Sequence, residues 1–308
     1  MGASLVLRLR DAGFRVVAIH RGRVHPPDVP AVEWRAVTSI GPCTEWLEAL
    51  AGVDVVVHLA ALAHQLGRKG QGRWPEFHAV NVQGTRQLAK ACNESSSVQR
   101  LIFVSSVGAI RSQSDVPLSE TTLCEPQDDY GRSKYLAESE VREALGKLKT
   151  DWCIIRPPLV YGPANPGNMA RLMSLVARGV PLPLASVDNR RSFVALDNLV
   201  DLIVCCVGHP AAAGGTFLVS DGEDLSTPEL VRRLAAAMGR RARLIPTPER
   251  LLLGAGRLAG FGTEVARLCG SLQVDMTATQ ERLSWTPPVR VDDALRDTAK
   301  AFLRTNSA

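Results

Sequence analysis

The chain has 308 residues, of which 45% are hydrophobic and 22% charged, with a formal net charge of +5. That apolar fraction with so small a net charge excludes intrinsic disorder and leaves room for one large domain or two modest ones. Seven cysteines without a CxxC or Cys/His grouping exclude a zinc framework and a patterned disulfide set, and arginines spread along the chain without forming a block exclude a basic nucleic-acid arm.

In chain order, residues 3–12 (ASLVLRLRDA) read as a helix stopped by Gly13, and 14–20 as a strand. Residues 44–51 read as helical and 53–59 (VDVVVHL) as a buried strand. Phe77, Val80, Gly84 and Leu88 recur at helical spacing over 76–92. Strand 100–105 (RLIFVS), helix 133–145 and strand 152–156 (WCIIR) follow. Further on, 168–177 is an amphipathic helix closed by Gly179, 193–196 a strand, 198–206 a helix and 216–220 a strand. Ser226-Thr227-Pro228-Glu229 combines a capping box with a first-turn proline and starts another helix. Prolines cluster at 157–166 and 181–183, which marks loops suited to a ligand. The alternation predicts an α/β fold around a mainly parallel sheet. The apolar stretch 199–207 is interrupted by Asp201 and too short for a membrane span. With no basic-then-apolar leader and unpatterned thiols, a cytoplasmic protein is expected.

The sharpest local signal is Tyr130-Gly131-Arg132-Ser133-Lys134. It sets a phenol and an ammonium four residues apart, on one face of a helix start. A neighbouring ammonium favours the phenolate, so the pair is expected to lower the tyrosine pKa and to serve as acid or base on a substrate hydroxyl or carbonyl. Upstream, strand 100–105 ends at Ser105-Ser106, where a hydroxyl would face the ligand crevice of an open parallel sheet. Strand 53–59 ends in small residues that let a flat ligand approach the backbone, while His58 reads as a satisfied core histidine.

The ordered set HLAA (58–61), VNxxGT (80–85), FVSS (103–106), YGRSK (130–134) and RPPLVYGP (156–163) resembles the extended short-chain dehydrogenase/reductase superfamily. Within it, the chain is most similar to the NAD-dependent epimerase/dehydratase family, and to its bacterial nucleotide-sugar 4-epimerases and 4-ketoreductases of surface polysaccharide synthesis. The resemblance implies a Rossmann-like doubly wound parallel sheet over residues 1–160, rejoined by about 190–220, and a smaller, interleaved substrate-binding domain over 161–308. It implies Ser106, Tyr130 and Lys134 as the catalytic set. Gly2, Arg21, Leu59, Ala60, Ala61, Asn81 and Pro157, with Tyr130 and Lys134, would bind NAD or NADP. Asn168 and Arg191, with Ser106, would hold a UDP-linked sugar, the arginine fork suiting phosphate oxygens. Helices over 76–92 and 133–147 would form a homodimer interface. Neither a metal nor a nucleic-acid partner is implied.

The match is incomplete at the start. Met1-Gly2-Ala3 stands at the last glycine of the family's G-x-x-G-x-x-G fingerprint, so the first strand and two glycines are not in the chain, and the reading frame is expected to extend upstream. As written, the chain is expected to bind dinucleotide poorly. Ile19-His20-Arg21-Gly22-Arg23 lacks an acid before Asp28, which is compatible with the 2′-phosphate of NADP. Val107-Gly108 after Ser106 disfavours a dehydratase. The expected activity is 4-epimerisation or 4-keto reduction, and the rival expectation is a non-catalytic pseudoenzyme or nucleotide-sensing module on the same fold.

Overall fold

Runs of β-branched residues bounded by turns become strands with their faces buried on both sides. The computed structural model describes residues 1–22, 29–63, 73–146, 149–163 and 167–306. Arg23, Asp28 and the 164–166 part of the proline-rich stretch lie outside them. Helix α1 (Gly2–Asp11) ends where Gly13 adopts φ 85°, with Phe14 N–H donating to the Leu9 carbonyl and Gly13 N–H to that of Arg10. Strand β1 (Val16–Arg21) follows and pairs in parallel with β2 (Val32–Val37). A second parallel sheet has the order β3 (Val55–His58), β4 (Arg100–Val104), β5 (Asp151–Arg156), β8 (Gly215–Leu218). Between β1 and β3 the described residues form no ladder.

Alternation across the pleat sorts the sheet's two faces. Leu101, Phe103 and Ile154 pack with Leu88 and Cys92 of α3 (Gly84–Glu94) and with Ala137 and Val141 of α4 (Asp129–Leu145). Ile102, Val104, Cys153 and Ile155 pack on the opposite face with Leu5 of α1 and Leu199, Leu202 and Ile203 of α6 (Leu196–Gly208). Two buried faces are what helical crossovers impose on a parallel sheet, and they explain the near-continuous apolar strands.

A third core lies beyond the sheet. Short strands β6 (Leu159–Tyr161) and β7 (Phe193–Ala195) pair in parallel. With α5 (Asn168–Ala177), α7 (Thr227–Ala237) and α11 (Val291–Asn306) they enclose Met173, Val176, Val231, Leu234 and Leu295. The capping box forms as read, with Ser226 Oγ accepting from Glu229 N–H at 3.2 Å. Helices α8 (Glu249–Leu258), α9 (Gly262–Cys269) and α10 (Thr277–Leu283) complete the chain.

The helix expected over 44–51 does not form. One bond, Leu50 N–H to the Trp46 carbonyl, closes a single turn, and Gly52 at φ 67° ends it. So short a segment gains too few bonds to offset helix nucleation. Trp46, Ala49 and Leu50 are buried as a plug under the α3–α4 face.

Candidate functional site

The strand ends β3, β4 and β5 converge with the start of α4. Asp128 caps α4 by accepting from Gly131 N–H at 2.7 Å, which sets Tyr130 and Lys134 in its first turns. Gly131 lies against the 3₁₀ turn Val107–Ala109, and a Cβ there would fall 2.2 Å from the Gly108 carbonyl oxygen. Ser106 caps that turn, its Oγ accepting from Gly108 N–H at 3.1 Å. The Pro157 carbonyl accepts from Val107 N–H at 2.9 Å. One tight contact thus brings Ser106, Tyr130 and Pro157 to the same end of the sheet.

Before α3 the helix begins as α2 (Trp74–Phe77) and runs through a π-helical stretch, His78–Gln83. That widened turn carries Asn81 into the structure. Its Nδ2 donates to Ser133 Oγ at 2.9 Å and to the Leu62 carbonyl at 3.0 Å, and its Oδ1 accepts from Leu62 N–H at 2.7 Å. Asn81 therefore ties the segment after β3, with Leu59, Ala60 and Ala61, to the helix that bears Tyr130. Phe77 meets the Tyr130 ring edge-on at 6.3 Å.

The electrostatics depart from the expectation for the Tyr–Lys pair. Tyr130 keeps part of its surface open yet is densely surrounded, and that burial, with the charge of Asp128, pushes its phenol up to about 12. Lys134 is fully enclosed and donates from Nζ to the Val104 carbonyl at 2.7 Å, 4.3 Å from the centre of the Phe103 ring. Burial brings its ammonium down to about 7, opposed by Glu138. The expected lowering of the phenol by Lys134 is therefore not seen, because the ammonium is turned to the sheet backbone. Glu138 is itself held by Arg156 at 2.6 Å and Arg142 at 3.1 Å. His58 is a satisfied core residue. Its Nε2 shares a hydrogen bond with Thr85 Oγ1 at 3.1 Å, its ring stacks on Phe103, and burial brings its pKa down to about 3, with Lys134 adding to the fall.

The other expected site residues are spread around this centre. Gly2 opens α1, where a Cβ added to it would meet nothing within 4 Å, Arg21 is exposed at the end of β1, and Asn168 is exposed at the start of α5. Arg191 is half-buried, and its Nη1 donates to the carbonyls of Arg267 and Gly270, each at 2.7 Å. Burial, with Arg267 beside it, lowers its pKa to about 10. Arg267 in turn reaches Asp128 Oδ2 at 2.6 Å. A cleft of about 410 Å³ opens there, lined by Ser112, Gln127, Asp128, Leu253, Arg257 and Arg267 among others. The sequence reading missed Asp128 and Arg267. The cap at Asp128 was legible as an aspartate just ahead of a helix start, but nothing local marks a partner 139 residues away.

Three buried polar atoms test whether these strand ends suit a dinucleotide. Ser105 Oγ after β4, His20 Nδ1 near the end of β1 and Trp34 Nε1 on β2 have no hydrogen-bond partner among the described residues. Ser105 and His20 stand at or next to the carboxyl ends of their strands, where a polar ligand would satisfy them, whereas Trp34 lies mid-strand on β2; Ser105 and His20 fit such a ligand.

The model of the NAD dependent epimerase/dehydratase family matches residues 1–220. A UDP-glucose 4-epimerase of Vibrio cholerae is 41% identical over 274 residues, 88% of this chain and 83% of that protein. An N-acetyl-alpha-D-glucosaminyl-diphospho-ditrans,octacis-undecaprenol 4-epimerase of Escherichia coli O157:H7 is 30% identical over 75% of this chain and 72% of its own length. Among solved structures, MoeE5 in complex with UDP-glucuronic acid and NAD superposes with a TM-score of 0.79 at 24% identity, covering 99% of this chain and 96% of that one. The UDP-glucuronic acid 4-epimerase of Bacillus cereus in complex with NAD gives 0.77 at 19% identity, with 99% and 94% covered.

Proposed function

Since the chain belongs to the NAD dependent epimerase/dehydratase family, we propose that it is a nucleotide-sugar 4-epimerase working on a UDP-linked sugar with NAD. The observation that carries this is the junction of Ser106, Tyr130 and Lys134 at the carboxyl edge of a parallel sheet, locked by the Gly108–Gly131 contact. The V. cholerae relative, a 4-epimerase along most of its length, supports the reaction class. Complexes of similar folds with UDP-sugars and NAD support the ligand classes.

Lys134 and Tyr130 would hold the nicotinamide ribose, the orphaned Ser105 hydroxyl would face the same region, and His20, Trp34 and Arg21 would border the adenosine half. Bound there, the nicotinamide supplies the acceptor and donor of hydride. This chain's residues manage the proton at the sugar's O4. Ser106 Oγ hydrogen-bonds that oxygen and fixes its direction. Tyr130 Oη takes the O4 proton as the carbon is oxidised and returns it as the carbon is reduced. With a phenol near 12, Tyr130 holds its proton at rest and must lose it before the oxidising step. Turning the Lys134 ammonium from the Val104 carbonyl toward the phenol would favour the phenolate that this first step needs. Arg191 and Arg267, two cations pressed together, would be relieved by a diphosphate between them.

The test is turnover of a panel of UDP-hexoses by the purified chain with NAD, followed by chromatography of the epimers. The expected result is interconversion at C4 without net redox, reduced about 10²–10⁴-fold in Tyr130→Phe. Consumption of reduced cofactor with a 4-keto sugar would make the chain a 4-ketoreductase instead. No binding of cofactor or sugar nucleotide would leave the non-catalytic reading.

A further inference from the structure

Helix α8 has leucines on both faces. Leu252 and Gly256 are buried against α9 and the third core, where Leu252 packs with Leu244 and Val265. Seven residues apart on the opposite side, Leu251 is 64% and Leu258 93% exposed. Phe261, just past the helix, is 54% exposed, and Ile245, just before it, 48%. An apolar face turned fully outward is foreign to a surface helix, whose outer face is ordinarily polar.

Charge says what covers it. Arg240, Arg241, Arg243, Arg250 and Arg257 are all exposed, and Glu249 is the sole acid between 240 and 261. None of these arginines takes part in an ion pair among the described residues. Arg241, Arg243 and Ile245 alternate outward from Ala242 and Leu244, which pack in the same core as Leu252. On α8, Arg250 and Arg257 stand a quarter-turn to one side of the Leu251–Leu258 line. The apolar groups protrude and are separated by Gly254 and Ala255. Protruding leucine and phenylalanine with basic margins match the boundary between anionic headgroups and acyl chains.

We propose that the α8–α9 hairpin docks this protein on an anionic lipid surface, with Leu251, Leu258 and Phe261 entering the headgroup boundary and the arginines contacting lipid phosphates. Leu253 and Arg257 also line the cleft beside Asp128, so docking sets the mouth of that cleft at the bilayer surface. The inference stands on residues 240–261 and does not depend on the reaction assigned to the cleft.

The test is co-sedimentation of the full chain with vesicles of phosphatidylcholine alone and of phosphatidylcholine with phosphatidylglycerol. Binding is expected on the anionic vesicles, weakening with salt and falling at least roughly fivefold for each of Arg250→Glu and Arg241→Glu, the loss of one basic contact alone being worth about that factor. Leu251→Glu with Leu258→Glu is expected to abolish it. Far-UV circular dichroism checks that the double variant stays folded, and Leu258→Ser alone replaces it if it does not. Failure of the wild type to sediment with anionic vesicles overturns the proposal. So does binding unaffected by the leucine changes, which would make it charge adsorption only. A wild-type dimer that the leucine variants convert to monomer by light scattering, without vesicle binding, would assign the face to a second copy.

Discussion

At the residue scale, Asp128 does three things with one carboxylate. It caps α4 through Oδ1, pairs with Arg267 through Oδ2, and its charge holds the Tyr130 proton on. Those roles separate by substitution. Asp128→Asn keeps an oxygen for Gly131 N–H but removes the charge, so the phenol pKa falls and the acid limb of the pH–rate profile moves down by about one pH unit. Arg267→Gln leaves the carboxylate uncompensated and moves the same limb up. The charged groups near Tyr130 on the surrounding elements include Asp129, Arg132, Lys134 and Glu138 in α4, Arg73 just before α2, Glu76 on α2 and Arg267 on α9. Among these, Lys134 and Glu138 belong to a separate buried network that the two substitutions leave in place. Opposite displacements of the profile would support the charge role, and equal falls in activity with an unmoved profile would reduce Asp128 to a cap. His58 gives a second pH effect. Its folded pKa lies below its ordinary value, so the unfolded chain binds the proton more readily and stability is lost as pH falls from about 6.5 toward about 3. The loss approaches roughly 1.4 kcal/mol per pH unit in that window. Urea midpoints measured from pH 7.5 to 5 should fall in the wild type and flatten in His58→Gln.

At the scale of elements, the strands buried on both faces were the plainest to read, while the partly exposed β1 was still legible and β2 was not. Residues in β3, β4 and β5 form apolar runs because helices cover both sides of the sheet. In β2, Glu33 and Arg35 pair with each other on the exposed face, and the broken run hid the strand. Helices α8 to α10 went unread in the sequence; in α8 the exposed Leu251 and Leu258 widen the apolar side beyond the buried Leu252 and Gly256. The Tyr–Lys spacing pointed to α4 as the helix proposed to bear the chemistry, while the side-chain direction of Lys134 depends on the Val104 carbonyl and could not be read from spacing. The contact that joins two of these elements is also testable. Alanine at Gly131 would place a methyl 2.2 Å from the Gly108 carbonyl oxygen, between backbone and backbone, so neither side can yield without moving Ser106 or Tyr130. Gly131→Ala is expected to lower stability by about 1–3 kcal/mol, read from denaturant midpoints. Activity should fall by more than that stability loss accounts for under conditions where the variant is fully folded.

At the scale of the molecule, the residues proposed for chemistry and for binding come from different stretches of chain. Ser106, Tyr130 and Lys134 belong to the sheet's edge, whereas Arg191 and Arg267 are held by the later segments. Asn189 fastens those segments together. Its Nδ2 donates to Thr227 Oγ1 and to the carbonyls of Leu268 and Gly270, and its Oδ1 accepts from Thr227 N–H at 2.8 Å. The Gly270 carbonyl that it anchors is one of the two that Arg191 engages. Asn189→Asp exchanges the donor for a second acceptor, facing two carbonyl oxygens that then have no partner from it. The segment bearing Arg267 and Gly270 should shift away from Arg191, while the Gly108–Gly131 contact, formed wholly by the earlier chain, stays intact. A change of this kind costs about 1–3 kcal/mol for a buried group left unpaired. If binding and chemistry are divided as the topology places them, KM for the UDP-sugar should rise several-fold and kcat should change much less. An equal loss in both would mean that the later segments also set the position of Tyr130, through Arg267 and Asp128, and the Arg267→Gln pH profile would then show the same dependence.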